Sequence, residues 1–131
     1  MTTRNHREAK FQTLFSHWLK ANWQSSAAFE LKVARDKRFY LSQIKEHQIA
    51  ALRIASSNLL YWKIADTDYL MAKPFDNFTL YRVPAYVVVL FTKTFYLIPI
   101  KNILALIKEK KKSLTEDETN AIAYEAVKIK N

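Results

Sequence analysis

The 131-residue sequence contains neither cysteine nor glycine. Without cysteine, the chain can form no disulfide bond and no thiolate metal site. Without glycine, it can form neither the glycine-rich phosphate loop of P-loop NTPases nor the dinucleotide-binding fingerprint of Rossmann domains. An average glycine content of ~7% would supply several such residues. The two absences therefore exclude broad classes of nucleotide-binding and metal-binding proteins.

Zinc-ligand spacing and long apolar runs are also missing. The three histidines, His6, His17 and His47, are far apart in the sequence and do not have the spacing of a zinc site. The most apolar run, residues 84–91, is much shorter than the ~20 residues of a membrane-spanning helix. The N-terminal segment is charged and has no signal-peptide core. We therefore expect a cytoplasmic protein that has no membrane partner.

What the chain does have is a large apolar fraction and an excess of cations. Half of the residues are hydrophobic, which is enough for one folded domain, and the net charge is +9. A domain this basic usually binds a polyanion. Cations and aromatic residues are mixed along the chain rather than segregated into a tail, which favours nucleic acid as the partner. The alternative is a basic surface that serves only solubility.

The hydrophobic periodicity predicts an α/β protein with a mixed sheet flanked by helices. Helical spacing covers residues 5–20, 42–56, 100–111 and 116–130. Strand patterns cover residues 27–33, 59–65, 75–81, 84–92 and 95–98. Ser42 is the expected cap of the second helix, and Thr115 with Glu118 forms a capping box for the last. We assign residues 1–112 to the main body of the domain and residues 113–131 to a C-terminal helical extension of it.

The first strand places Glu30 and Lys32 on one face and apolar residues on the other. A carboxylate can bind a divalent metal, which polarises a phosphate and lowers the pKa of a water molecule. The neighbouring ammonium can contact the phosphate or the attacking water. This arrangement suits phosphodiester cleavage, although such a pair also occurs on exposed strands for solubility alone.

Three more residues are candidates for the same site. Glu8 falls on the apolar face of the first helix, where it points either towards a cleft or simply into the helix dipole. Gln48 interrupts the apolar stripe of the second helix and requires a partner. Asp76 shares a strand face with Phe78 and Leu80 and should point inward; the alternative is a strand-start residue bonded to its own backbone.

These segments together resemble the RecU-type Holliday junction resolvases of the PD-(D/E)xK nuclease superfamily. The resemblance covers residues 27–107. It is carried by Phe29-Glu30-Leu31-Lys32, by the run from Phe39 through Glu46-His47-Gln48-Ile49, by Val87-Val88-Val89-Leu90-Phe91 and by Phe95-Tyr96-Leu97-Ile98. It implies a restriction-endonuclease-like fold and cleavage of DNA with Mg²⁺, or Mn²⁺ in its place. It also implies that Glu30 is a metal ligand, Lys32 the catalytic lysine, Gln48 the active-site glutamine and Glu8 the first-helix acid.

The sequence departs from this superfamily at one point. Members normally carry an aspartate on the strand before Glu-x-Lys, whereas residues 22–26 here contain none. The chain instead has an insertion at about residues 57–83 that contains Asp76. We hypothesise that Asp76 takes over the missing ligand role, so that Asp76, Glu30 and Glu8 hold the metal.

The expected DNA contacts are six cations in two groups. Arg35, Lys37 and Arg38 follow the Glu-x-Lys strand, and Arg4, Arg7 and Lys10 lie near the first helix. A four-way junction has two-fold symmetry, so a resolvase of this kind should be a homodimer. Three other interpretations stay open: a nickase or restriction-like nuclease on the same fold, a non-catalytic DNA-binding protein on a degenerate nuclease fold, and a basic protein with no nucleic-acid role.

Overall fold

The structure is a computed structural model that describes residues 3–63 and 77–130. Its helices are α1 (Thr3–Asn22), α2 (Glu46–Ser57), α3 (Ile100–Lys108) and α4 (Glu116–Ile122). Its strands are β1 (Ala28–Val33), β2 (Arg38–Tyr40), β3 (Leu59–Lys63), β4 (Asn77–Tyr81), β5 (Ala85–Leu90), β6 (Thr94–Pro99), β7 (Ser113–Thr115) and β8 (Glu125–Lys128). A 3-10 turn, Leu41–Gln43, precedes α2.

The central sheet has four strands in the order β1-β5-β6-β8. Strand β1 pairs with β5 in parallel, whereas β5 with β6 and β6 with β8 are antiparallel. A parallel pair requires a crossover connection, and α2 lies in that connection. This mixed sheet flanked by helices confirms the predicted α/β class, and it makes β1 an edge strand of the sheet.

The core occupies both faces of the sheet. On one face, Phe11 and Phe15 of α1 pack with Val33, Val88 and Phe95. On the other face, residues of α2, α3 and the 3-10 turn pack against alternate residues of β5 and β6. Residues 85–89 of β5 are consequently all buried, as expected for a strand that is covered on both faces.

Two small two-stranded sheets lie outside the central one. The hairpin β3–β4 is antiparallel and falls in the predicted insertion between α2 and β5. Strands β2 and β7 pair through only three residues each. Both β2 and β7 are too short to show a periodicity, and neither was predicted.

Among the residues that the structure describes, four non-glycine residues adopt left-handed backbone conformations: Asp36, Lys37, Arg82 and Lys110. Asp36 and Lys37 have φ of 50° and 65° and form a two-residue turn in which Arg35 and Arg38 exchange both backbone hydrogen bonds at 2.8 Å. Positive φ at both central residues is the pattern of a type I′ turn, which ordinarily selects Asn-Gly. The chain makes this turn with charged residues instead.

The structure corrects two of the predicted helix boundaries. Helix α2 begins at Glu46, and its N-cap is Lys45 rather than Ser42, because the 3-10 turn takes up residues 41–43. The capping box of Thr115 and Glu118 is present, but the last helix ends at Ile122.

Residues 125–128, which were predicted as part of that helix, form strand β8 instead. They pair with the outer edge of β6, and Val127 packs against the apolar cluster under α1. The C-terminal segment is therefore built into the central sheet and is not a helical extension.

Among the residues that the structure describes, no helix is long and apolar enough to cross a membrane.

Candidate active site

A cleft of about 240 Å³ lies at the open edge of β1. Helix α1, strand β1 and helix α2 each contribute to its wall. The lining residues, which we call the active cleft, are Glu8, Phe11, Gln12, Glu30, Leu31, Lys32, Val33 and Gln48. Four of the five residues predicted to carry chemistry, Glu8, Glu30, Lys32 and Gln48, are thus brought together. The fifth, Asp76, lies outside the described residues.

Helix α1 places Glu8 at the rim of the active cleft. Phe11 and Phe15 are buried, 2% and 4% exposed, and pack against the sheet. Glu8 lies one turn before Phe11 and is half-buried, so its side chain flanks the buried stripe on the side of β1. The predicted position of Glu8 at a cleft edge agrees with this arrangement.

Strand β1 places Glu30 and Lys32 on the face opposite its apolar residues. Phe29, Leu31 and Val33 pack with α1, which leaves the intervening side chains on the other face. Lys32 Nζ lies 3.5 Å from Glu30 Oε2, with side chains 16% and 27% exposed. A half-buried ammonium beside a carboxylate can bind an anion while the carboxylate binds a cation.

The main chain of β1 adds an oxygen to this site. Ala28 N–H donates to the Pro84 carbonyl and Ala34 N–H to the Leu90 carbonyl. Because successive residues of a strand alternate, the even-numbered residues of β1 direct their backbone N–H and C=O groups towards β5. The odd-numbered residues direct their N–H and C=O groups to the open edge. The carbonyl of Leu31, between Glu30 and Lys32, is therefore aimed at the side of the strand where the active cleft lies.

A hydrogen bond to the backbone sets the orientation of the Gln48 side chain. Its Oε1 accepts a hydrogen bond from the Lys45 backbone N–H at 2.9 Å, so the side chain caps α2. Because the oxygen is used in this way, the NH₂ group is the end that can donate to a ligand. The amide that the periodicity singled out is thus both a cap and a cleft-lining donor.

A second glutamine, Gln43, was not predicted from the sequence. It bonds to the backbone of Val33, a residue that lines the active cleft. Its Nε2 donates to the Val33 carbonyl at 2.9 Å, and its Oε1 accepts from the Tyr40 N–H at 3.0 Å. Gln43 is 7% exposed and fixes the end of β1. The only signal in the sequence is a polar residue between apolar Leu41 and Ile44.

The donor set of the active cleft suits a hard cation. Glu8 and Glu30 supply carboxylate oxygens and Leu31 a carbonyl oxygen, and Mg²⁺ commonly binds through one or two carboxylates together with water and substrate phosphates. Within residues 3–63 and 77–130, no group of three or more His, Asp and Glu side chains could hold a metal ion. Helix α1 leads directly into β1, so no strand bearing the usual aspartate stands between them.

The predicted DNA-contacting cations divide into two sets. Arg35 and Lys37 are exposed on the turn that follows Val33, at the end of the active cleft. Arg38, beside them, is half-buried and donates from Nε to Ser113 Oγ at 2.9 Å. It is therefore engaged within the protein.

In α1, the helical rotation separates the cations. Arg7 is exposed next to Glu8, and Arg4 lies one turn before Glu8 in the helix. Lys10, in contrast, is about 200° around the helix from Glu8 and lines a separate groove with His6 and His17. The structure thus places Lys10 apart from the other cations of its predicted group.

Comparison of the chain with protein-family models, with curated proteins and with solved structures gives no significant match. Function is therefore inferred from the chemistry of the active cleft.

Proposed function

We propose that this protein is a metal-dependent endodeoxyribonuclease whose active site is the active cleft at the edge of β1. One observation carries the proposal: Glu8, Glu30, Lys32 and Gln48 come from three elements and are up to 40 positions apart in sequence, yet they line one cleft. A solubility surface gives no reason for two carboxylates, an ammonium and an amide donor to converge in this way.

Glu8 and Glu30 are the proposed side-chain ligands of Mg²⁺, with the Leu31 carbonyl as a third oxygen donor. Mn²⁺ accepts the same oxygen ligands. When bound, the ion supplies Lewis-acid polarisation of the scissile phosphate. Asp76 stays a candidate for a further ligand.

Lys32 and Gln48 are the proposed donors to the substrate. The Lys32 ammonium lies 3.5 Å from Glu30 and would neutralise charge on a phosphate oxygen. The Gln48 NH₂ group can donate a hydrogen bond to the same phosphate while its oxygen keeps α2 capped. Arg35 and Lys37, exposed at the end of the cleft, would then hold the flanking phosphates of the strand.

The order of elements supports a restriction-endonuclease-like fold of the RecU type. A Glu-x-Lys strand is followed by the Gln48 helix, a strand buried on both faces and a hairpin partner, as the resemblance implied. Branched DNA, including four-way junctions, is the proposed substrate. A C2 homodimer follows from the symmetry of such a substrate.

A cleavage assay tests this proposal. Fluorescently labelled four-way junction and linear duplex of the same sequence are incubated with the protein and Mg²⁺, and parallel reactions contain Lys32→Ala. We expect the junction to be cleaved faster than the duplex and Lys32→Ala to be defective on both. Equal cleavage of junction and duplex would favour a nickase or restriction-like nuclease on the same fold.

A second candidate function is non-catalytic DNA binding on a degenerate nuclease fold. The observation that favours it is the direct connection of α1 to β1, which leaves the site without the strand that normally bears the aspartate. The distinguishing result is salt-dependent DNA binding together with no Mg²⁺-dependent or Mn²⁺-dependent cleavage of any of these substrates.

A further inference from the structure

A second, more apolar cleft lies between α2, the 3-10 turn and the end of α3. Its volume is about 680 Å³, within the ~300–1,000 Å³ of typical ligand sites. Its lining residues, which we call the lysine cleft, are Tyr40, Leu41, Ser42, Ile49, Ile107, Lys110, Lys111 and Lys112. The floor is aromatic and aliphatic, and the rim carries three consecutive lysines.

The two clefts share a wall. Gln48 of α2 lines the active cleft, and the next residue, Ile49, lines the lysine cleft. The 3-10 turn forms a second connection, because Gln43 bonds to Val33 in the active cleft while Leu41 and Ser42 line the lysine cleft. The start of α2 and the 3-10 turn therefore lie between the two clefts.

The lysine rim is fixed in place by the backbone. Lys110 N–H and Lys111 N–H donate to the Ile107 and Leu106 carbonyls at 3.0 Å, which is the Schellman pattern at the end of α3. The Lys112 carbonyl accepts from the Leu41 N–H at 3.0 Å, so the rim is tied to the floor. The lysine run is thus a built edge of the cleft and not a loose tail.

Lys110, where the chain turns after the end of α3, has an unusual backbone conformation. Lys110 has φ of 62°, in the position where helices usually place glycine. A left-handed conformation is unfavourable for a residue with a Cβ atom, and strain of this kind is often retained for function. Lys111 pairs with Glu118 at 3.0 Å, so Lys110 and Lys112 are the two cations whose charge is available to a ligand.

We propose that the lysine cleft binds an unpaired base of the DNA strand whose phosphate lies in the active cleft. The proposal rests on the proposed nuclease function and narrows its substrate to DNA with unstacked nucleotides, such as a flap, a bulge or an opened junction. The face of the base would pack against Tyr40, Ile49 and Ile107. The phosphate of the same nucleotide would pair with Lys110 and Lys112. Aromatic floors combined with cationic rims are the usual means of binding single strands.

The test measures binding without cleavage. Fluorescence anisotropy in EDTA compares a labelled oligothymidylate with an abasic sugar-phosphate strand of equal length, so that only the bases differ. We expect the abasic strand to bind roughly 5- to 100-fold more weakly, as base stacking on an aromatic floor implies. Equal affinities would overturn the proposal.

Variants assign the base contribution to this cleft. Tyr40→Leu should remove most of the difference between the two strands, whereas Tyr40→Phe should retain it. If Tyr40→Leu does not fold, Ile107→Glu is the second probe, since Ile107 is 39% exposed and a carboxylate there would repel phosphate. Wild-type oligothymidylate affinity in Ile107→Glu would contradict the proposal.

The role of the three lysines at the rim is tested through the salt dependence of DNA binding. Lys110→Gly removes a cation at a position that suits glycine, and it should lower the slope of log affinity against log salt by about 0.7 for one lost single-strand phosphate contact. Lys101→Ala is the matched control, because Lys101 is exposed in α3, the helix that Lys110 follows, but lies outside the cleft. An unchanged slope in Lys110→Gly would contradict the proposal.

The outcomes separate the two levels of the account. Base-dependent binding with no cleavage of any substrate in Mg²⁺ would reject the nuclease while leaving a base-binding cleft. Cleavage without base-dependent binding would reject the lysine cleft as a DNA site while leaving the nuclease. Binding to phosphatidylserine vesicles without base-dependent DNA binding would assign the cleft to a lipid headgroup and overturn the proposal.

Discussion

Gln43 Nε2 lies 2.9 Å from the Val33 carbonyl oxygen, and this hydrogen bond joins the 3-10 turn to the last residue of β1. The other end of the same amide accepts from the Tyr40 N–H. A buried amide satisfied at both ends holds one wall of the active cleft and one wall of the lysine cleft in register. Gln43 acts as a positioning residue, since it lies in the lining of neither cleft.

Replacing Gln43 by leucine should destabilise the fold by about 2–6 kcal/mol. The substitution leaves the Val33 carbonyl and the Tyr40 N–H without their partner, and each buried unsatisfied group costs ~1–3 kcal/mol. Urea unfolding followed by circular dichroism measures the change. Gln24→Leu, at an exposed residue of the α1–β1 connection, is the control, and equal effects of the two substitutions would contradict this role.

The turn after β1 should be stabilised by glycine. Lys37 has φ of 65°, and the second central position of a type I′ turn favours glycine, so Lys37→Gly should raise the free energy of unfolding by about 0.5–1 kcal/mol. Lys93→Gly, in the β5–β6 turn at a residue without positive φ, should instead lower it. Thermal unfolding of the two variants checks the opposite signs.

Acid should remove one local contribution to stability. Backbone hydrogen bonding from Thr115, followed by the Lys111 ammonium, lowers the pKa of Glu118 from 4.5 to about 2. A carboxyl whose pKa is depressed in the fold stabilises the protein above its unfolded pKa and loses that effect as the pH falls. The difference in unfolding free energy between wild type and Glu118→Gln should therefore be constant above about pH 4.5 and shrink between pH 4.5 and 2.

Lys111→Met serves as the companion variant in these acid titrations. It removes the ammonium but keeps the Thr115 hydrogen bond, and so it should retain part of the acid dependence. A difference between wild type and Glu118→Gln that stays constant down to pH 2 would show that the capping box does not hold this carboxyl ionised.

The two groups of cations should differ in DNA binding. Arg35→Ala removes an exposed charge at the end of the active cleft, and it should weaken duplex binding and lower the salt slope by about 0.9 if it contacts one phosphate. Lys10→Ala removes another exposed charge, on the opposite side of α1 from Glu8, and should leave the slope unchanged. Anisotropy titrations over a range of salt concentrations compare them, and a larger effect of Lys10→Ala would show that DNA lies elsewhere.

Long, strongly patterned segments could be predicted from the sequence. The stripe containing Phe11 and Phe15, the alternation around Glu30 and the capping box of Thr115 each follow from local chemistry, and all three are present in the structure. The faces of the helices and of β1 were assigned correctly. The sequence could therefore also indicate that Glu8, Glu30, Lys32 and Gln48 lie close together.

The remaining features depend on tertiary partners. Residues 125–128 have a weak helical pattern, yet they complete the exposed edge of β6, and no local signal shows that this edge needs a strand. Gln43 bonds to a main-chain carbonyl whose direction is set by the register of β1 with β5. The separation of Lys10 from Glu8 is a different case, since the helical angle between them can be worked out from the sequence.

The most direct test of the central claim is the rate of Mg²⁺-dependent cleavage of labelled branched DNA by Glu30→Gln. The matched control is Glu125→Gln, an exposed carboxylate of β8 outside both clefts. We expect Glu30→Gln to fold and bind DNA but to cleave it about 100-fold more slowly or worse, as loss of a metal ligand implies. Glu125→Gln should keep the wild-type rate. Wild-type cleavage by Glu30→Gln would contradict the assignment of the active cleft.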